Sequence, residues 1–103
     1  MTDVMTARGA ERELGVILGI AVAAAVGEER GVFTAGYREG RDVTVFARGE
    51  SWTGVLTLAR ERVACVDGIL RDRPSTTNAE LATRALVPVR FVRLRRRDVG
   101  GAV

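Results

Sequence analysis

The chain has 103 residues, of which 47% are apolar and 28% are charged, and its net charge is +3. This composition is typical of a globular protein, so we predict a single domain over residues 1–103, with flexible ends at 1–9 and 98–103. All basic residues are Arg. The absence of His and Lys excludes imidazole bases, imidazole metal ligands, Schiff-base lysines and the lysine of a phosphate-binding loop. We therefore predict that the protein is not an enzyme and holds no metal and no small-molecule cofactor.

The charge is distributed unevenly along the chain. Residues 1–40 hold four Arg and six acidic residues, whereas residues 41–103 hold twelve Arg and seven acidic residues. The basic excess therefore belongs to the C-terminal part, where an anionic partner is expected to bind.

Three features bear on the cellular location. Residues 14–27 form an uncharged run that is shorter than the roughly 20 apolar residues of a membrane span. The preceding Glu11-Arg12-Glu13 is not the basic region of a signal peptide. The lone Cys65 excludes an internal disulfide and a thiolate metal cluster. We predict a cytoplasmic protein without a membrane partner.

The uncharged run at 14–27 fits two structures. Abundant Ala and the small-residue spacing of Gly15, Gly19 and Ala23 favour a helix. Alternating large and small residues, internal glycines and β-branched side chains favour a strand. We prefer the strand, and in either case the run is apolar on all sides and must be covered by the fold or by another subunit.

The central third alternates in a way that predicts strands. A short strand is predicted at 32–37, and residues 42–58 are predicted to form a hairpin of two strands around a Gly-containing turn. The inward face of this hairpin is predicted to hold Val43, Val45, Ala47, Trp52, Gly54, Leu56 and Leu58. Phe46 and Val55 lie at the positions between these inward residues, so they are predicted to face outward.

The C-terminal third combines a helix with further strands. A strand is predicted at 62–66, followed by a tight turn at Asp67-Gly68. Thr77 and Glu80 have the spacing of a capping box, which predicts a short helix at about 78–86 that Pro88 ends. The last predicted strand runs from Val89 to Arg95, with a bulge near Val92.

Together these elements predict a mainly β fold. Turn signals that recur every few residues favour a small barrel or a strongly curled antiparallel sheet of five to six strands, with the one short helix at 78–86. The alternative is an α+β fold in which an N-terminal helix, at about 10–26, lies on a small barrel.

The hairpin resembles the Sm motif of the Sm-like RNA-binding proteins. The resemblance lies in the Val43-Thr44-Val45 strand, the turn residue Gly49 and the segment Trp52-Thr53-Gly54-Val55-Leu56, and in part in residues 87–92. It implies a small closed barrel, a homo-oligomer and binding to RNA. Most of the family's RNA-contact positions are not matched here, and Arg90 is the one that corresponds.

The candidate site is a cluster of five arginines near the C-terminus. Its members are Arg90, Arg93, Arg95, Arg96 and Arg97. On a strand this cluster forms a basic stripe that is suited to neutralising phosphates of RNA or DNA. The alternative is a solvated edge strand whose charges discourage edge-to-edge aggregation. The outward Phe46 and Val55 are predicted to lie in a subunit interface.

The sequence thus predicts a homo-oligomeric binding module that contacts nucleic acid. The alternative is a structural subunit of a phage or shell-type assembly, without a nucleic-acid ligand.

Overall fold

A computed structural model of the chain describes residues 5–19 and 23–100. These residues form an α+β arrangement of four helices and one three-stranded antiparallel sheet. In chain order the elements are α1 (Ala7–Leu18), β1 (Ala23–Glu29), β2 (Val32–Glu39), β3 (Asp42–Gly49), α2 (Trp52–Asp72), α3 (Asn78–Ala85) and α4 (Val89–Gly100). The chain divides into two compact units, Met1–Arg60 and Glu61–Val103.

The sheet of the first unit is a meander in which β2 is the central strand and pairs with β1 and β3. A two-residue turn joins β1 to β2, and both of its residues, Arg30 and Gly31, have positive φ angles of 53° and 81°. Positive φ at both positions is the geometry that matches the twist of paired strands. The predicted strands at 32–37 and in the first half of the hairpin are confirmed.

A bulge in β3 changes the phase of the sheet. Ala35 pairs with Ala47, but the next residue, Gly36, pairs with Val45, so Phe46 is an additional residue in β3. An additional residue in a strand shifts the alternation of its side chains, so the residues on the far side of the bulge point to the opposite face from the one that strict alternation predicts. Phe46 and Ala47 are consequently both buried. The prediction that Phe46 faces outward was wrong because strict alternation does not hold across this bulge.

The uncharged run at 14–27 is divided between two elements. Its first residues end α1, and its last residues lie in β1. The helix begins where the Thr6 side chain accepts a hydrogen bond from Gly9 N, at 3.1 Å, and it ends at Gly19 with φ of 84°. The preferred strand was wrong for residues 14–18, the alternative helix at 10–26 was right only up to Leu18, and residues 20–22 lie outside the described part.

The second strand of the predicted hairpin and the strand at 62–66 are both part of helix α2. Ser51 caps this helix by accepting a hydrogen bond from Gly54 N at 3.0 Å. The buried residues follow at helical spacing: Val55, Leu56, Ala59, Val63, Val66 and Leu70. The Asp67-Gly68 pair, predicted as a turn, lies within α2, and Cys65 is half-buried on the same helix rather than in a strand.

Helix α3 confirms the predicted helix at about 78–86. The Thr77 hydroxyl accepts a hydrogen bond from Glu80 N at 3.2 Å, as the capping box requires. The helix ends at Leu86, which takes the left-handed conformation with φ of 59°. Pro88 follows and separates α3 from α4.

Replacing Thr77 by alanine is expected to lower the free energy of unfolding by about 1 kcal/mol, because Glu80 N loses its hydrogen-bond acceptor. Thr83→Ala is the matched control, since the Thr83 hydroxyl donates to a carbonyl within α3 and caps nothing. Urea titration of both variants measures the difference. Equal midpoints for the two variants would argue against the cap.

Residues predicted as the last strand belong to α4, and the predicted bulge at Val92 does not exist. Val92 N donates to the Pro88 carbonyl oxygen at 3.3 Å, which is the i to i−4 hydrogen bond of a helix. The predicted barrel or curled sheet of five to six strands is therefore wrong. Because Trp52–Leu58 is helical, the closed barrel implied by the resemblance to Sm-like proteins is not formed by the described residues.

The predicted flexible ends fall partly outside the described residues, namely 1–4 and 101–103. Of the described residues in these ends, 7–9 belong to α1 and 98–100 belong to α4, whereas residues 5 and 6 precede the helix.

Candidate functional site

The five arginines of the predicted basic stripe all lie on helix α4. A helix turns by about 100° per residue, so consecutive arginines point in different directions. Three of them, Arg90, Arg93 and Arg97, are exposed, and the other two, Arg95 and Arg96, are partly buried. The predicted cluster therefore divides into an external group and an internal group.

The external group lies on one face of α4. At about 100° per residue, Arg90, Arg93 and Arg97 fall within an arc of about 60° around the helix axis. With a rise of 1.5 Å per residue, the first and last of them are separated by about 10 Å along the helix. We refer to these three residues as the α4 stripe. It is a row of three guanidinium groups on a single exposed face, which is suited to binding several anionic groups in line.

Arg95 belongs to the internal group and binds Asp67 of α2. Its Nε and Nη2 atoms donate to the two carboxylate oxygens, each at 2.7 Å. The two side chains are 14% and 33% exposed. A bidentate pair of this kind has a defined geometry as well as favourable energy, so it positions α4 on α2.

Arg96 holds the loop before α3. Its guanidinium donates to Asn78 Oδ1 at 2.9 Å, to the Pro74 carbonyl at 2.8 Å and to the Thr76 carbonyl at 2.6 Å. Three acceptors on one planar group fix the loop against α4. The face of α4 opposite the stripe is anchored by the buried Phe91 and Val92. The α4 stripe is thus presented by a helix whose inner face is fixed by both polar and apolar contacts.

Sequence reasoning did not identify the partners of Arg95 and Arg96. Asp67 was predicted to be a turn residue, and no role was predicted for Pro74 and Thr76, whose carbonyl oxygens accept from Arg96. The available signal was the helical spacing of the buried apolar residues on either side of Asp67, namely Val63, Val66 and Leu70. A helical interpretation of this segment places one carboxylate among apolar neighbours, and such a group requires a partner.

The two residues predicted for a subunit interface are placed inside the protomer. Phe46 is 5% exposed, and Val55 is 0% exposed. Phe46 turned inward at the bulge of β3, and Val55 lies on the buried face of α2, where its backbone approaches Gly49. The outward orientation on which their predicted role depended is therefore incorrect.

All five aromatic residues fall in the described part of the chain, and none is an exposed ring. Tyr37, Phe46 and Phe91 are buried. The two half-buried rings, Phe33 and Trp52, contact each other edge to face, with their centroids 4.6 Å apart. Stacking of unpaired bases needs accessible ring faces, and this arrangement offers little ring surface for it.

The charge of the two units differs in sign. Residues 61–103 contain nine Arg and five acidic residues, whereas residues 1–60 contain seven Arg and eight acidic residues. The α4 stripe therefore belongs to the basic unit, and the sheet belongs to the slightly acidic one. An anionic ligand is attracted preferentially to the unit that contains the stripe.

Two open grooves lie in the first unit. One of about 530 Å³ is lined by Phe33, Trp52 and their neighbours, and one of about 640 Å³ lies beside the β1–β2 turn, between Glu28, Arg30 and Arg48. Both grooves are open and are lined by a mixture of charged, polar and apolar residues. Within residues 5–19 and 23–100, no group of three His, Cys, Asp or Glu side chains is arranged to hold a metal ion.

None of the helices among the described residues is both long enough and apolar enough to span a bilayer.

A comparison of the chain with protein-family models found no match, and comparisons with curated proteins and with solved structures found none either.

Proposed function

We propose that the protein is a non-enzymatic nucleic-acid-binding module that contacts the phosphate backbone through the α4 stripe. The observation that supports this proposal is the exposure of Arg90, Arg93 and Arg97 along one face of α4. Arg is always charged at neutral pH, and its planar group matches the geometry of a phosphate. Three such groups in one row form an electrostatic footprint for a polyanion.

The rigid mounting of α4 supports the same proposal. Arg95 binds Asp67, and Arg96 binds the loop before α3, so the guanidinium groups of these two are used in contacts within the second unit. They hold the helix that presents the stripe. Preorganisation of this kind reduces the entropy lost on binding. The free thiol of Cys65 needs no oxidising compartment, which is in keeping with action in the cytoplasm.

A second candidate function is a structural subunit that assembles with copies of itself. It is favoured by two exposed apolar residues, Leu86 before α4 and Val89 at its start, which are 66% and 39% exposed. Exposed apolar side chains next to polar and charged residues suit a protein interface with an apolar centre and a polar rim. Light scattering after size exclusion distinguishes a homo-oligomer from a monomer, and nucleic-acid titration tests the first function separately.

The triple variant Arg90→Ala/Arg93→Ala/Arg97→Ala is expected to bind nucleic acid about 100-fold more weakly than the unmodified protein at low salt. The logarithm of the binding constant of the unmodified protein is expected to fall with the logarithm of salt concentration at a slope of about −2.7, since three phosphate contacts contribute about −0.9 each. Fluorescence anisotropy with labelled oligonucleotides at several salt concentrations measures both quantities.

The matched control is Arg8→Ala/Arg12→Ala/Arg41→Ala, which removes three exposed charges from the first unit. It changes the net charge by the same amount, so it separates the stripe from the overall charge. We expect this control to bind within a few-fold of the unmodified protein. Equal weakening by both triple variants would contradict a site on α4.

A further inference from the structure

The arrangement of the aromatic residues bears on the form of the nucleic acid. Proteins that bind single strands combine a basic groove with exposed rings on which bases stack, and each stacked base contributes about 1–3 kcal/mol. Here three of the five rings are buried, and the remaining two are half-buried and contact each other. The stripe is therefore equipped for phosphates and lacks a platform for unpaired bases.

The dimensions of α4 suit a groove of a double helix. The helix has 12 residues, which corresponds to a length of about 18 Å, and a helix with side chains is about 10–12 Å wide. The major groove of B-form DNA is about 12 Å wide and admits such a helix. The major groove of an A-form RNA duplex is deep and narrow and does not.

The connection between α3 and α4 supports this geometry. An eight-residue helix, α3, is followed by residues 86–88 and then by α4. In DNA-binding helix-turn-helix motifs, two helices are likewise joined by a turn of three to four residues, and the second helix enters the major groove. The left-handed Leu86 and the following Pro88 make this turn tight. The two helices also contact each other, so α4 is supported from α3 as well as from α2.

One apolar side chain adds to the exposed face of α4. Val89 falls within the same arc of about 100° as the stripe and is 39% exposed, at the first turn of the helix. In the major groove a thymine presents its methyl group, which an apolar side chain can contact. Arginines further along the face would then reach the phosphates that border the groove.

From these observations we propose that the ligand of the α4 stripe is B-form duplex DNA, which receives the exposed face of α4 in its major groove. This inference rests on the proposed nucleic-acid-binding function and adds the class of ligand. It excludes a single strand and an RNA duplex as the preferred ligand.

The first test compares three labelled probes of the same 20-nucleotide sequence by anisotropy, at about 100 mM salt: a DNA duplex, its single strand and the corresponding RNA duplex. We expect the DNA duplex to bind at least about tenfold more tightly than the other two. Equal or tighter binding of the single strand or the RNA duplex overturns the choice of ligand and leaves the proposed function intact. Absence of binding to all three probes refutes both.

The second test identifies the groove on the DNA duplex. Methyl green occupies the major groove, and netropsin occupies the minor groove, so each is added as a competitor to the preformed complex. We expect methyl green to displace the protein and netropsin to have little effect. Displacement by netropsin alone would overturn the docking of α4 in the major groove. The variant Val89→Ser, which keeps every arginine, is expected to weaken binding about threefold without changing the salt slope.

Discussion

Replacing Gly36 by alanine is expected to lower the free energy of unfolding by about 3 kcal/mol. A Cβ at this position would lie 2.7 Å from the carbonyl carbon of Thr44 and 2.8 Å from Cα of Val45, and it would overlap the Thr44 carbonyl oxygen. These atoms belong to the backbone of β3 at the bulge, so no side chain can turn away to relieve the overlap. Urea or thermal unfolding followed by circular dichroism measures the loss.

Gly15→Ala provides the matched control for this prediction. A Cβ at Gly15 meets nothing within 4 Å, and the residue lies inside α1, so alanine is expected to raise the free energy of unfolding by up to about 1 kcal/mol. The same chemical change should therefore have opposite effects at the two positions. Tolerance of Gly36→Ala would mean that β2 and β3 do not approach each other this closely.

Removing the carboxylate of Asp67 is expected to cost about 2–3 kcal/mol of unfolding free energy. The Asp67→Ala variant leaves the Arg95 guanidinium, whose side chain is only 14% exposed, without its bidentate partner. An unpaired and largely desolvated charge is more costly than the loss of an exposed ion pair. A double-mutant cycle with Arg95→Ala measures the coupling between the two side chains, which we expect to exceed 1 kcal/mol.

The pair Glu80–Arg84 on α3 is the control for this cycle. Its atoms are 3.2 Å apart at i, i+4 spacing, and its side chains are 53% and 52% exposed. An exposed pair of this kind contributes about 0.3–0.5 kcal/mol. If the cycle at Asp67 and Arg95 gave a coupling as small as that of the control, the pair would not hold α4 in place, and the rigid mounting of the stripe would lose its support.

The central third shows why part of the fold was predictable and part was not. Residues 32–39 and 42–49 are strands bounded by turns with glycine at positive φ, and alternation plus turn residues identified both segments. Residues 52–58 alternate as well, but their large apolar positions also fit a helical spacing. A segment of seven residues is too short to separate the period of a strand from that of a helix. The apolar positions continue at helical spacing to Leu70, and this longer pattern indicates a helix.

The candidate site, too, was predictable from the sequence only in part. The concentration of arginines at 90–97 is visible in the sequence, whatever structure the segment adopts. On a strand, Arg93, Arg95 and Arg97 share a face, whereas on a helix Arg95 turns away from the other two. The separation into an exposed stripe and two structural arginines therefore depends on the secondary structure of α4 and on the position of Asp67.

The sequence by itself determined the basic C-terminal third and the absence of His and Lys, because these are properties of composition. It also determined the capped helix at Asn78–Ala85 and two of the three strands, because these depend on a few adjacent residues. Only the tertiary structure decided the bulge at Phe46, the pairing of Asp67 with Arg95 and which arginines face outward. Each of these depends on contacts between residues far apart in the chain, such as Gly36 with Thr44 or Asp67 with Arg95, and a local pattern does not contain that information.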